Sequence, residues 1–249
     1  MSGEGAMSDA RDTGSVEPRP AATDEPTRGV ARGDRVHAFA APGITVTWSR
    51  TRCIHAADCV MNLPTVFEPG RRPWVDASQA SADAVARVVA RCPTGALHFE
   101  RQDGGASEPV PTTNTVLLAR NGPVMLRGDI EVLDDTGAVL LRDTRVALCR
   151  CGLSLKKPLC DDTHAEVGFR DPGMVTREDG VSDPGATGGT LRVIPHVDGP
   201  LELWGPFALS SADKKTMLAG SSTSLCRCGK SQTKPFCDRS HERVGFRSG

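Results

Sequence analysis

The chain has 249 residues, a nearly balanced charge (30 Lys and Arg against 31 Asp and Glu) and 9 cysteines. The neutral balance gives no electrostatic case for binding nucleic acid or an anionic membrane surface. Only 38% of the residues are apolar and 4% are aromatic. We therefore expect the cysteines, together with a modest hydrophobic core, to stabilise the fold.

Residues 1–35 have the composition of a disordered tail, with many charged, Gly and Pro residues. They contain no apolar stretch typical of a secretory signal, and no later run is long enough to cross a bilayer. We therefore expect a cytoplasmic protein with no membrane contact. In that compartment, clustered cysteines indicate metal or redox chemistry rather than disulfide bonds.

Residues 36–101 predict a compact βαβ-type unit. Ile44 to Trp48 alternates as a strand does, and Ala96 to Phe99 reads as a returning strand. Between them, Ser81 is placed to cap a helix whose apolar residues recur every three or four positions as far as Cys92. Residues 102–113 are rich in Gly, Pro and Ser and predict a linker.

An internal repeat occupies the rest of the chain. Residues 122–170 align without a gap on residues 199–247, at an offset of 77, and 20 of the 49 positions are identical. Asn121-Gly122 and Asp198-Gly199 lie between apolar runs and predict hairpin turns. We expect two β-rich repeats, residues 114–170 and 191–249, joined by a linker over 171–190. The predicted fold class is therefore α+β, with the two repeats forming an intramolecular pseudo-dimer.

The cysteines fall into three groups of three. The groups are Cys53, Cys59 and Cys92; Cys149, Cys151 and Cys160; and Cys226, Cys228 and Cys237. In the two repeats a His follows the third Cys by four residues, His164 and His241, on the same side of a short helix capped by Asp161 or Asp238. Three thiolates and an imidazole fit either a structural zinc ion or an iron–sulfur cluster. The single residue between the first two cysteines favours the cluster.

This repeated motif resembles the signature of the CDGSH iron–sulfur family. The matching positions are Cys149, Cys151, Ser154, Pro158, Cys160, Asp161, Thr163 and His164, and again Cys226, Cys228, Ser231, Pro235, Cys237, Asp238, Ser240 and His241. The family's Gly after the Asp is replaced by Asp162 and Arg239. The resemblance implies one 2Fe–2S cluster in each repeat, held by three Cys and one His, and implies that the two units pair.

The first cysteine group resembles the divergent single-cluster 4Fe–4S ferredoxin family. Cys53, Ala56 and Cys59 fit the ferredoxin run with its middle Cys missing, and Cys92-Pro93 matches the distant Cys-Pro. Three thiolates can hold a 3Fe–4S cluster, or a 4Fe–4S cluster whose fourth iron takes another ligand. His55 is the nearest candidate for that ligand, and the alternative is that it only hydrogen-bonds near the cluster.

We interpret the chain as a multi-cluster iron–sulfur protein that transfers electrons to or from a redox partner protein. No catalytic triad or phosphate-binding loop accompanies the cysteines, so we expect a non-enzymatic, monomeric carrier. Cluster storage or transfer, redox sensing, and a zinc-stabilised interaction module are the alternatives. We expect a solvated charged rim formed by Lys157, Lys234, Arg150 and Arg227, whose alternative role is to tune the cluster potential or partner docking. We expect His37, His98 and His196 to be ordinary surface or partly buried histidines.

Overall fold

The computed structural model describes residues 26–175, 180–182 and 188–248. The N-terminal unit contains strands β1 (Val36–Ala41), β2 (Ile44–Ser49) and β3 (Leu97–Arg101), and helices α1 (Asp58–Asn62) and α2 (Ala82–Val89). The predicted helix cap is confirmed, because the Ser81 hydroxyl accepts a hydrogen bond from the Ala84 amide. Helix α2 ends before Cys92, which lies in the following turn.

The βαβ-type prediction for this unit is wrong in its strand direction. The three strands form one sheet in the order β1-β2-β3, and both pairings are antiparallel, whereas a βαβ unit has parallel strands. Strand β1 was not predicted, because its residues lack a clear apolar alternation; half of them are exposed and none is fully buried. The helices lie in the connection from β2 to β3, and their apolar faces pack on this small sheet.

The two repeats build a single mixed six-stranded sheet that closes into a barrel. Its strands are β4 (Thr115–Leu118), β5 (Val124–Leu133), β6 (Val139–Leu148), β7 (Leu191–Pro195), β8 (Leu201–Ser210) and β9 (Met217–Leu225). Two one-turn helices follow the hairpins, α3 (Thr163–Glu166) and α4 (Ser240–Arg243). The described protein is therefore mostly β, rather than the α+β protein that the sequence predicts.

Strands are exchanged between the repeats about a pseudo-twofold axis. Strand β4 pairs with β5 of its own repeat and also, in parallel, with β8 of the other repeat. Strand β7 makes the equivalent two pairings, with β8 and β5. The registers follow the repeat offset of 77. Val116 faces Leu209 in one pairing, and Val193 and Val132, which are the repeat equivalents of these two residues, face each other in the other pairing. Both repeats therefore contribute side chains to one continuous apolar core.

Two predicted connecting segments are more ordered than expected. The tail prediction for residues 1–35 fails at its end, where the Gly29 and Arg32 amides donate to carbonyls of β6; residues 1–25 lie outside the described part. In the predicted linker 171–190, Val175 is buried in the barrel core and Ser182 pairs with Ser222. Within the described residues, no helix is both long and apolar enough to cross a membrane.

Candidate metal centres

Each repeat folds its cysteine-rich loop back onto the end of its last strand. In repeat 1 the Cys149 amide donates to the Pro158 carbonyl, and the Cys160 amide donates to the Ala147 carbonyl. The buried Ser154 hydroxyl closes the loop by donating to the Leu159 carbonyl. Repeat 2 has the equivalent bonds from Cys226, Cys237 and Ser231. The motif residues between the cysteines therefore bring the third Cys beside the first two.

The four predicted ligands of each repeat lie in two pairs. The Cys149 and Cys151 Sγ atoms are 3.7 Å apart, and the Cys160 Sγ and His164 Nδ1 atoms are 3.4 Å apart. The corresponding distances in repeat 2 are 3.8 Å for Cys226–Cys228 and 3.4 Å for Cys237–His241. Two ligands on one tetrahedral metal, each bound at about 2.3 Å, are separated by ~3.8 Å. Each pair thus has the spacing of two ligands on one iron atom.

The short helix that carries the histidine begins one residue later than the motif predicts. Asp161 does accept a hydrogen bond from the Thr163 amide, as a capping side chain would. The residue that precedes the helix is Asp162, whose φ of 75° is left-handed, and Arg239 occupies the same position in repeat 2 with a φ of 65°. Glycine adopts this conformation without strain. This explains why the family pattern has Gly where this chain has Asp and Arg.

The first two thiols of each motif are hydrogen-bonded to each other. This bond lowers the pKa of one thiol in each pair, Cys149 in repeat 1 and Cys228 in repeat 2, and raises the pKa of its partner. Burial raises the pKa of Cys160 to about 12. A metal must displace these protons, since the thiolate is the ligand. The ligand loops therefore release protons when they bind metal.

The arginine between the first two cysteines is buried in both repeats, so the prediction of a solvated rim is wrong for Arg150 and Arg227. Each is only 2% exposed. Their guanidinium groups donate to backbone carbonyls of the preceding hairpin, including Gly122 and Gly199, and stack on Phe169 or Phe246. Burial also lowers the pKa of Arg227. Charged residues are usually at the surface, so the sequence alone did not indicate that carbonyl oxygens, a Phe ring and, for Arg150, the Asp171 carboxylate would hold these side chains inside.

The first cysteine group lines one cavity in the N-terminal unit. Cys53 follows β2, Cys59 lies in α1 and Cys92 follows α2, and all three contribute to a cavity of about 750 Å³. Burial and the nearby Cys92 thiol raise the pKa of Cys59 to about 11. Ala56 and His55 also line the cavity, and both are exposed. The cavity is large enough for a cluster, and the role of His55 as a ligand stays a prediction.

The three cysteine groups follow one another through the molecule. Ile54, next to Cys53, belongs to one buried apolar cluster with Cys160 and Ala147 of repeat 1. On the other side, a Cβ on Gly152 would lie 2.7 Å from the Cys228 carbonyl oxygen, and one on Gly229 would lie 2.8 Å from the Cys151 oxygen. The two ligand loops of the repeats therefore touch through their backbones. The spacing of the motifs did not reveal either contact.

A buried ionic network fixes the N-terminal unit to repeat 1. Arg52, next to Cys53, pairs with Asp143 of β6, and both side chains are almost fully buried. The Arg145 guanidinium donates to the carbonyls of Val89, Cys92 and Leu97, and also pairs with Glu108. His98 joins the network through contacts of its ring nitrogens with Asp143 and Glu108. No motif in the sequence marks this network, because its members are widely separated along the chain.

Comparisons with known proteins assign the same three regions. Residues 39–102 match the family described as divergent 4Fe-4S mono-cluster, and residues 121–165 and 198–242 match the family described as iron-binding zinc finger, CDGSH type. The chain carries a divergent 4Fe–4S domain followed by two CDGSH domains. The uncharacterized protein YjdI of two Escherichia coli strains, K12 and O157:H7, is 29% identical over 59 residues, 24% of this chain and 78% of YjdI. No solved structure gives a significant match.

The donor set of the CDGSH domains fits a two-iron cluster better than one zinc ion. Among the described residues, no three or more His, Cys, Asp or Glu side chains converge closely enough to hold a single metal ion. A mononuclear Cys₃His site needs all four ligands around one point. Two separate pairs, each with the spacing for one iron atom, match a cluster in which each iron takes two protein ligands.

Proposed function

We propose that this protein is an electron carrier in which three iron–sulfur clusters form a relay within one chain. Each CDGSH domain would hold one 2Fe–2S cluster, through Cys149, Cys151, Cys160 and His164 in the first, and through Cys226, Cys228, Cys237 and His241 in the second. The N-terminal domain would hold a 3Fe–4S or 4Fe–4S cluster on Cys53, Cys59 and Cys92. An iron–sulfur cluster accepts and releases single electrons at a potential set by its ligands and surroundings.

The arrangement of the three sites next to one another is the observation that carries this proposal. Electron transfer slows steeply with distance, so a relay requires neighbouring stations. Ile54, the neighbour of Cys53, shares a buried cluster with Cys160, and the Gly152 and Gly229 backbones bring the two CDGSH loops together. The buried pair of Arg52 and Asp143 supports the same role, because it fixes the first station against the second.

The strand exchange favours a monomer as the working form. The two CDGSH domains pair with each other inside one chain. A second chain would therefore compete with a partner that is already tethered at high effective concentration. We accordingly propose a monomer that exchanges electrons with a separate redox partner protein and catalyses no reaction of its own.

The test follows one electron through the full-length protein, purified without oxygen. Iron and acid-labile sulfide are measured first, and zinc without sulfide would refute the proposal. Less than one equivalent of dithionite is then added, and electron paramagnetic resonance of samples frozen at successive times follows each cluster. A relay predicts that the electron redistributes among the clusters at a rate independent of protein concentration.

The matched control is Cys92→Ala, which removes a ligand of the first station and leaves both CDGSH motifs intact. It should lose the N-terminal signal while electrons still equilibrate between the other two clusters. A cluster-transfer protein would behave differently: it would lose iron to an apo-ferredoxin during the experiment and show no redistribution. That result would contradict electron transfer as the function.

A further inference from the structure

The two CDGSH domains differ in the charge that surrounds identical ligands. In the first domain, the buried Arg150 guanidinium pairs with the buried Asp171 carboxylate, with Nη1 and Oδ1 2.5 Å apart. The position equivalent to Asp171 in the second domain is Ser248. The described hydrogen bonds of the equivalent Arg227 go only to the carbonyl oxygens of His196 and Gly199. Its positive charge is therefore not neutralised by a direct carboxylate partner.

One acidic side chain does lie near Arg227. Asp198 stands where the first domain has Asn121, and its carboxylate accepts from the Ser248 amide at 2.7 Å and pairs with Arg247 at 3.1 Å. About a third of the Asp198 side chain is exposed, and its partner Arg247 is largely exposed. Solvent and Arg247 therefore screen this carboxylate, in contrast to the buried Asp171.

A second charge difference lies beside the ligand histidines. In the first domain, Asp162 Oδ1 is 3.3 Å from His164 Nε2, and the same helix carries Glu166. The equivalent positions in the second domain are Arg239 and Arg243, while Glu242, in place of Ala165, has Oε1 3.9 Å from His241 Nε2. These side chains are exposed, and Arg239 also pairs with Glu242, so each contributes less than a buried charge. Together they nevertheless act in the same direction as the buried difference.

Both differences make the second CDGSH site more positive than the first. Reduction adds one negative charge to a cluster, and a nearby positive charge stabilises that state and raises the potential. We propose that the cluster of the second CDGSH domain has the higher potential, so that electrons pass from the first domain to the second and leave the chain there. This inference rests on the proposed function. The step is a one-electron exchange: the first cluster is oxidised, the second is reduced, and no bond is made or broken.

The experiment is an anaerobic redox titration of the full-length protein, monitored by electron paramagnetic resonance of the reduced 2Fe–2S clusters. The wild type should show two midpoint potentials. The ligand loops of the two domains touch, so each change acts on both clusters but more strongly on its own. Ser248→Asp restores a carboxylate beside Arg227 and should lower the higher potential more than the lower one. Asp171→Ser removes the carboxylate beside Arg150 and should raise the lower potential more than the higher one. The control Asp135→Ser changes an exposed charge in the turn before β6. The ten residues of that strand separate it from Cys149 by roughly 30 Å, so it should move neither potential.

A single shared midpoint potential in the wild type would overturn the inference, as would a larger shift of the lower potential than of the higher one in Ser248→Asp. If Ser248→Asp fails to fold, Arg239→Asp serves instead, because this side chain is 81% exposed. It should lower the higher potential by a smaller amount, and no shift would contradict the proposal. Equal potentials with both clusters present refute only the direction of transfer, whereas absence of clusters refutes the proposed function itself.

Discussion

Replacing Asp143 by Asn should strongly destabilise the contact between the N-terminal domain and the barrel. The Asp143 side chain is fully buried, and its partner Arg52 is 1% exposed. The Arg52 guanidinium holds the pKa of Asp143 well below its usual range, at about 2, against the opposing effect of burial. Asn has the same shape without the charge, so Asp143→Asn leaves a buried guanidinium without its counter-ion.

The size of the effect follows from this burial. Removing one member of a buried ion pair costs about 3–5 kcal/mol. Arg52 retains hydrogen bonds to the carbonyls of Gly29, Thr94 and Arg145, which partly compensate its charge. We therefore expect a loss of about 3 kcal/mol, which is roughly a hundredfold change in the opening equilibrium.

Hydrogen exchange measures this loss under native conditions, without unfolding the whole protein. Amides of β3 and β6 should exchange roughly a hundredfold faster in Asp143→Asn than in the wild type. The control Asp135→Asn alters an exposed aspartate of the same hairpin and should change exchange by less than about 0.5 kcal/mol. The paired variant Arg52→Met with Asp143→Leu removes both charges and should recover much of the stability. A loss below about 1 kcal/mol in Asp143→Asn would refute the reasoning.

Three further predictions concern other parts of the molecule. Burial opposes protonation of His98, but its hydrogen bonds to Asp143 and Glu108 outweigh this effect and raise its pKa to about 9. The protonated ring therefore stabilises the fold fully below about pH 6.5, and this stabilisation is lost as the pH rises through 9. His98→Gln should therefore abolish the decline in melting temperature between those pH values, and an unchanged decline would assign it to another group. Gly152→Ala should lower the free energy of unfolding, measured by urea titration, by more than about 1 kcal/mol, because its φ is 84° and its Cβ would meet the Cys228 carbonyl. In the control Gly137→Ala the φ is 87° and the space around the Cβ is open, so this variant measures the backbone strain without the steric contact. Cys160→Ala should lower the iron content by about two of seven or eight atoms per chain, and loss of all iron would contradict independent sites.

The sequence was most informative where the chemistry is local. The spacing of the cysteines and histidines located both CDGSH motifs, because the four predicted ligands of each lie within sixteen residues. The Ser81 cap and the hairpin turns were likewise predictable, since each depends on a few adjacent residues. These features need no knowledge of distant contacts.

The relationships between the sites could not be predicted in the same way. Arg52 and Asp143 are separated by 91 positions, and nothing in either neighbourhood marks a partner. Ile54 reads as an ordinary apolar residue until the fold places it against Cys160. The antiparallel β2–β3 pairing also depended on tertiary packing, because a helix between two strands is compatible with either direction.

The strand exchange between repeats has a consequence for how this protein can change over generations. In a dimer of identical chains, one substitution alters both copies of a site at once. Here each half of the barrel has its own codons, so a substitution such as that at position 162 or 239 modifies one site and spares the other. Neither half completes the barrel alone, so they must be inherited together while their surroundings diverge. Covalent fusion thus permits specialisation of two halves that remain structurally interdependent.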